Sequence, residues 1–160
     1  MTQTISSAKT ETASTDRIRS LRWAAPAVVA AAALSVFSVY ADGTLSASQQ
    51  ASQEAALPWI IAVMVVLSGL LFGLAVPRLL RSRSMSGWAL ALGLVGILTL
   101  PAYWSGLGVI FGAAALLVAT TARRAARADG HPARLAAAAA VLGVLAFAAD
   151  LAGVIIGVTH

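Results

Sequence analysis

The chain has 160 residues, 59% of them hydrophobic and only 11% charged, with a mean hydropathy of +0.86. A water-soluble domain carries about 45–50% apolar and about 25% charged residues, so this composition excludes an ordinary soluble globule and makes lipid the solvent for most side chains. The net charge of +5 rests on arginine, Lys9 being the only lysine, and the arginines flank apolar runs, so they orient a membrane protein and imply no nucleic-acid partner.

Residues 1–22 are rich in Ser, Thr and charge and hold too little apolar surface to order themselves, which predicts a disordered cytoplasmic tail. Residues 23–158 then read as a single transmembrane domain of about five spans, near 23–41, 58–77, 88–103, 106–121 and 135–158. The first follows Arg17, Arg19 and Arg22. The same segment also fits a secretory signal, with Val39-Tyr40-Ala41 ahead of a cleavage point at Asp42; cleavage there leaves four spans. The polar stretch Asp42 to Glu54 separates it from the second run, which is expected to stop at Pro77 before Arg78, Arg81 and Arg83.

Between Trp88 and Thr121 the apolar sequence is interrupted only by Trp104-Ser105. One helix over that range is about 50 Å long at 1.5 Å per residue, against a hydrocarbon core of about 30 Å. The arginines around Arg81 and Arg124 share one side of the membrane only if an even number of crossings lies between them, so the range divides into two spans. The last span follows the turn Asp129-Gly130-His131-Pro132. Five spans place every basic residue inside, with a cytoplasmic N-terminus and the C-terminus outside. Trp23 and Trp88 then lie at inner ends, and Tyr40, Trp59, Tyr103 and Trp104 at outer ends, where amphipathic rings prefer the headgroup level. The predicted class is all-α, a polytopic membrane protein packed as a small bundle.

Asp150 is the one ionisable side chain well inside a span, about 10 Å below the outer end counted from Gly157. A carboxyl facing lipid at that depth costs a few kcal/mol, so it is expected to face protein or water. Gly143, Ala146, Asp150, Gly153 and Gly157 recur at intervals of three and four, which puts the carboxyl on a stripe of small residues. Ser35 in the first span and Thr99 in the third lie at comparable depth as candidate partners, and Pro101 is expected to kink the third helix by freeing a backbone carbonyl. Two roles fit Asp150: polar glue between helices, or a proton- or cation-handling site.

Three GxxxG pairs, Gly69 with Gly73, Gly108 with Gly112, and Gly153 with Gly157, suit close helix packing, either within the chain or along a homo-oligomer seam. Arg123, Arg124, Arg127 and Arg134 are candidates for contact with anionic lipid headgroups. His131 and His160 have no second ligand nearby, and with no cysteine present neither a metal nor another cofactor is expected. No paired carboxylates, Ser-His-Asp set, Walker A loop or HExxH sequence occurs, so no enzymatic activity is expected.

From about Trp88 onward, an apolar run, an aromatic–Gly turn, a Gly-rich run, Ala122-Arg123-Arg124-Ala125-Ala126-Arg127, a Gly-containing turn and an Ala/Gly-rich run follow one another. That order resembles the small uncharacterised multi-span membrane proteins of actinobacteria. The resemblance implies a bacterial plasma membrane setting and carries over no site residue. Together these readings lead to the expectation of a membrane-embedded subunit or scaffold for other membrane proteins; the alternative is a small proton- or ion-coupled transporter component using Asp150.

Overall fold

The computed structural model describes residues 3–41, 46–100, 105–130 and 133–159, with side chains placed at 18, 20–40, 46–100, 105–130 and 133–156. Those residues form five helices: α1 (Gln3–Ala41), α2 (Ala47–Leu79), α3 (Met85–Leu98), α4 (Leu107–Ala128) and α5 (Arg134–Thr159). Four segments are long and apolar enough to cross a bilayer, Ser20–Tyr40, Ala47–Leu79, Leu107–Ala128 and Arg134–Ile156. The fifth helix, α3, has 14 residues and is therefore about 21 Å long, shorter than the hydrocarbon core. It begins at Met85 and ends at Leu98, not at 103. The Thr99 hydroxyl turns back onto the Gly96 carbonyl at 2.7 Å, and the residue before a proline, here Leu100, resists the helical region. Pro101, Tyr103, Trp104, Asp42, His131 and His160, which entered the readings of the sequence, lie outside the described residues.

Two helices begin earlier than hydropathy predicts. α1 starts at Gln3, so the backbone of the expected tail is helical and continuous with the apolar run. An isolated helix of that composition is marginal, but one that extends an existing helix needs no new nucleus. α2 starts at Ala47, eleven residues ahead of Pro58, because Ser46 and Gln49 form a capping box: Gln49 N–H donates to Ser46 Oγ at 3.4 Å and Ser46 N–H to Gln49 Oε1 at 3.0 Å. Hydropathy does not register that signal.

Nor does α2 stop at Pro77. Over Leu71–Ala75 it widens into a π-turn, in which Val76 N–H reaches back to Leu71 O. The next bond in that pattern requires an N–H at residue 77, which proline lacks. Phe72 O is left without a donor, and the Ser20 hydroxyl of α1 supplies one across the helix pair at 2.6 Å. Both residues are fully buried. A buried carbonyl is more stable paired than unpaired in lipid, so this bond adds to apolar packing in holding α1 on α2.

Neighbouring helices alternate in direction. Ser20 of α1 meets Phe72 of α2, and Ser35 meets Leu57, so α2 runs opposite to α1. Ala31 lies against Gly106 and Trp23 near Leu116, so α4 also runs opposite to α1. Gly93 packs on Leu142 and Gly96 on Ala146 and Gly112, which makes α3 parallel to α5 and antiparallel to α4. The result brings Arg22, Arg78, Arg81, Arg83, Arg123, Arg124, Arg127 and Arg134 to one end of the bundle and Ser46 and Glu54 to the other. α4 is the central helix: ten of its residues, from Gly108 to Ala122, are buried, against three each in Ala47–Leu70 and α3.

Candidate functional site

The polar centre of the fold lies where α4 begins. Gly106 precedes the helix in the left-handed conformation, φ 64°, and has no side chain to cap it. A Cβ there would sit 2.8 Å from the Ala31 carbonyl oxygen of α1, so both the backbone conformation and the approach of α1 require glycine. The first N–H groups of any α-helix have no partner within it, and here Gly108, Val109 and Ile110 are buried, away from water that could supply one.

Asp150 of α5 supplies it. Its Oδ2 accepts from Val109 N–H, the third residue of α4, at 3.0 Å, and the Gly108 amide faces the same carboxyl. A carboxyl there also meets the positive end of the α4 dipole. The side chain is fully buried, the only fully buried ionisable group among the described residues. Gly108 makes the approach feasible, since a Cβ on that residue would stand 2.5 Å from Oδ2 and 2.7 Å from Oδ1. One turn further along, a Cβ on Gly112 would stand 2.8 Å from the Gly143 carbonyl oxygen. The pair Gly108 and Gly112 therefore packs within the chain, against α5.

On α5, Gly143, Ala146 and Asp150 are buried and face α3 and α4, and Ala136 and Ala139 are buried toward the arginine end. Gly153 is half-buried, and the surroundings of Gly157 lie outside the described residues. Gly69 and Gly73 behave differently. A Cβ on either meets nothing within 4 Å, so this pair makes no helix contact within the chain.

Neither expected hydroxyl partner is hydrogen-bonded to Asp150. Ser35 donates to Ala31 O at 3.0 Å and lines a cavity of about 200 Å³ between α1 and α2, with Ser52 and Gln53. Thr99 donates to Gly96 O. Both follow the general habit of helical Ser and Thr, which bond a carbonyl three or four residues back and keep their hydrogen within their own helix. The partner that the sequence reading missed is a backbone amide, and the signal for it was present: Gly106 and Gly108 ahead of an apolar run mark an uncapped helix start needing an acceptor from elsewhere. Oδ1 of Asp150 has no hydrogen-bond partner among the described residues, and the same holds for the buried Ser68 hydroxyl of α2.

Arg123, Arg124, Arg127 and Arg134 are all exposed, the first three on the last turns of α4 and the fourth at the start of α5. No group of three or more His, Cys, Asp or Glu able to hold a metal ion occurs among the described residues. Comparison with known protein families, with curated proteins and with solved structures finds no match.

Proposed function

We propose that this protein is a membrane-embedded subunit or scaffold that crosses the bilayer five times, with its arginine end in the cytoplasm. The observation that supports this best is the task of Asp150. The one fully buried ionisable group among the described residues is engaged as the cap of α4, a structural role that joins two helices. Ser35 and Thr99, the hydroxyls at comparable depth, are engaged with backbone carbonyls of their own helices. A path for ions needs several polar groups facing one lumen, and these face backbone instead. The resemblance to small actinobacterial membrane proteins makes a bacterial plasma membrane the proposed setting, and the absence of a recognisable catalytic set supports a role without chemistry of its own.

The short α3 fits a fifth crossing when the turns at its two ends complete the distance, and the common position of the arginines at one end is what a cytoplasmic face requires. A reporter fused after Arg124 is expected to read cytoplasmic and one fused at the C-terminus external; a cytoplasmic C-terminus overturns the topology.

One observation favours the second reading, a proton-coupled component. Oδ1 of Asp150 has no partner among the described protein groups, so the carboxyl retains an atom at which a proton can be exchanged. Asp150→Asn separates the two, because Asn keeps the acceptor for Val109 N–H and removes ionisation. In proteoliposomes carrying a trapped pH dye, the scaffold reading expects no proton flux from either form. Flux in the wild type that Asp150→Asn abolishes, with the variant still folded, replaces it with the transport reading.

A further inference from the structure

A groove of about 370 Å³ runs between α1, α4 and α5. Ala27 and Ala30 of α1 and Ala113 of α4 leave the space, Leu116 lines it with the buried Val109, and Trp23 and Phe147 are its most open walls, each about two-fifths exposed (42% and 41%). From Val109 to Leu116 it extends about 10 Å along α4. At the Val109 end no polar group is offered to an occupant, since that residue's N–H is engaged by Asp150.

The other end is different in kind. The α4 face that lines the groove continues at intervals of four and three through Thr120 to Arg123 and Arg127, so the apolar stripe becomes a basic one without leaving the face. Arg123 and Arg127 are exposed, and so is Arg22, which adjoins Trp23 on the opposite wall. Arg123 lies about 10 Å beyond Leu116 along the helix. The groove thus presents an apolar slot that offers no polar group at one end and has two guanidinium groups in line with its other end, the arrangement that a single apolar chain carrying an anionic head matches.

We propose that this groove holds one acyl chain of an anionic glycerophospholipid, with its phosphate bound by Arg123 and Arg127. The site rests on the multi-pass reading alone and is indifferent to whether the protein is a scaffold or a transport component, so its test leaves Asp150 untouched. A second copy of the chain or a partner's helix is the competing occupant. The arginines at the mouth favour a lipid: a guanidinium near the membrane surface raises affinity for an anionic headgroup roughly fivefold, while two copies of this face bring like charges together.

Trp23 on the rim serves as the reporter. The variant Trp59→Phe, Trp88→Phe, Trp104→Phe leaves it as the only tryptophan. This protein is reconstituted into phosphatidylcholine vesicles containing an equal minor fraction of either brominated phosphatidylglycerol or brominated phosphatidylcholine, whose chain bromines quench indole on contact. Quenching is expected at roughly 25-fold lower mole fraction for the phosphatidylglycerol, fivefold for each of the two guanidinium groups. Arg123→Gln with Arg127→Gln, two exposed positions, should remove that preference, and Ala113→Phe should remove quenching at low mole fraction by filling the slot. Equal quenching by the two lipids overturns the proposal, as does a preference that survives the arginine pair or Ala113→Phe. Protection of Trp23 from both lipids overturns it in favour of a protein occupant.

Discussion

The two halves of the molecule hold together by different means. α3, α4 and α5 approach until backbone meets backbone, with glycines at Gly93, Gly96, Gly108, Gly112 and Gly143 each placed where a Cβ would stand between 2.5 and 3.1 Å from the next helix. α2 instead packs on α1 through larger side chains, Met64, Leu71 and Phe72 among them, and turns Trp59, Val63, Val66 and Leu70 outward. Its two glycines, Gly69 and Gly73, touch no other helix. In lipid the solvent is as apolar as the side chains, so burial by itself gives little association, and close packing and hydrogen bonds decide what holds. The triple-helix unit has both in density, around Asp150. The α1–α2 hairpin has the Ser20 bond at the arginine end and, toward the other end, a cavity.

That contrast breaks most visibly at Gly112. In Gly112→Val the new side chain meets the Gly143 carbonyl, a backbone atom that can move only if α4 and α5 separate. Overpacking of this kind costs about 3 kcal/mol, a large share of the about 5–15 kcal/mol that holds a typical protein folded. Thermal unfolding in mild detergent should show a fall in Tm of many degrees or loss of the folded form. An unchanged Tm means that α4 and α5 are not packed as described.

The cap is the next largest effect. Asp150→Ala leaves Val109 N–H without an acceptor in a dry site, a loss of about 1–2 kcal/mol. Asp150→Asn retains an acceptor oxygen and is expected to lose less than Asp150→Ala. Amide hydrogen exchange gives the local readout. Protection at the first turn of α4 should fall in Asp150→Ala and persist in Asp150→Asn, and equal loss in both would mean that charge, not the hydrogen bond, holds the helix end.

Ser20→Ala tests the hairpin alone. It removes the donor that Phe72 O receives where the π-turn and Pro77 leave it without one. Interhelical hydrogen bonds in membranes average about 0.6 kcal/mol, so the expected loss is a small Tm decrease. What distinguishes this from general weakening is location: exchange and proteolysis should increase at the α1–α2 junction while α3, α4 and α5 stay protected.

How far the sequence carried the fold follows the same divide. Arginine placement and the length of the 88–121 stretch led to antiparallel α3 and α4, because charge asymmetry is a global signal read along the whole chain. Asp150 was singled out with its face, since a carboxyl in an apolar run at a spacing of three and four from small residues has few other placements. Its partner was not legible from side-chain inventory, because the partner is a backbone amide that becomes an orphan only once the start of α4 is known. Ser20 was missed for a related reason. It stands in a segment read by composition as tail, and its role depends on a π-turn that Pro77 ends in another helix, with the carbonyl it meets 52 residues away. The Gly69 and Gly73 pair looked the same in sequence as Gly108 and Gly112, and only the neighbours separate them.

The smallest expected effect belongs to that outward pair, and it is informative because of its size. In Gly69→Val the added side chain enters open space, so no neighbour is displaced. Replacing glycine within a helix relieves the backbone entropy that glycine loses on folding, a gain of about 0.5–1 kcal/mol for alanine and somewhat less for a β-branched residue. The Tm of dilute protein in detergent should therefore stay level or rise slightly, the opposite sign to Gly112→Val. The same substitution also separates the two roles weighed for the motif. If Gly69 and Gly73 form a seam between copies of this chain, valine keeps the two α2 backbones apart, and a crosslinked dimer recovered from native membrane should disappear while monomer stability is unaffected. If they only face lipid, crosslinking stays as it is in the wild type, and the pair is then a place where helix packing never uses its glycines.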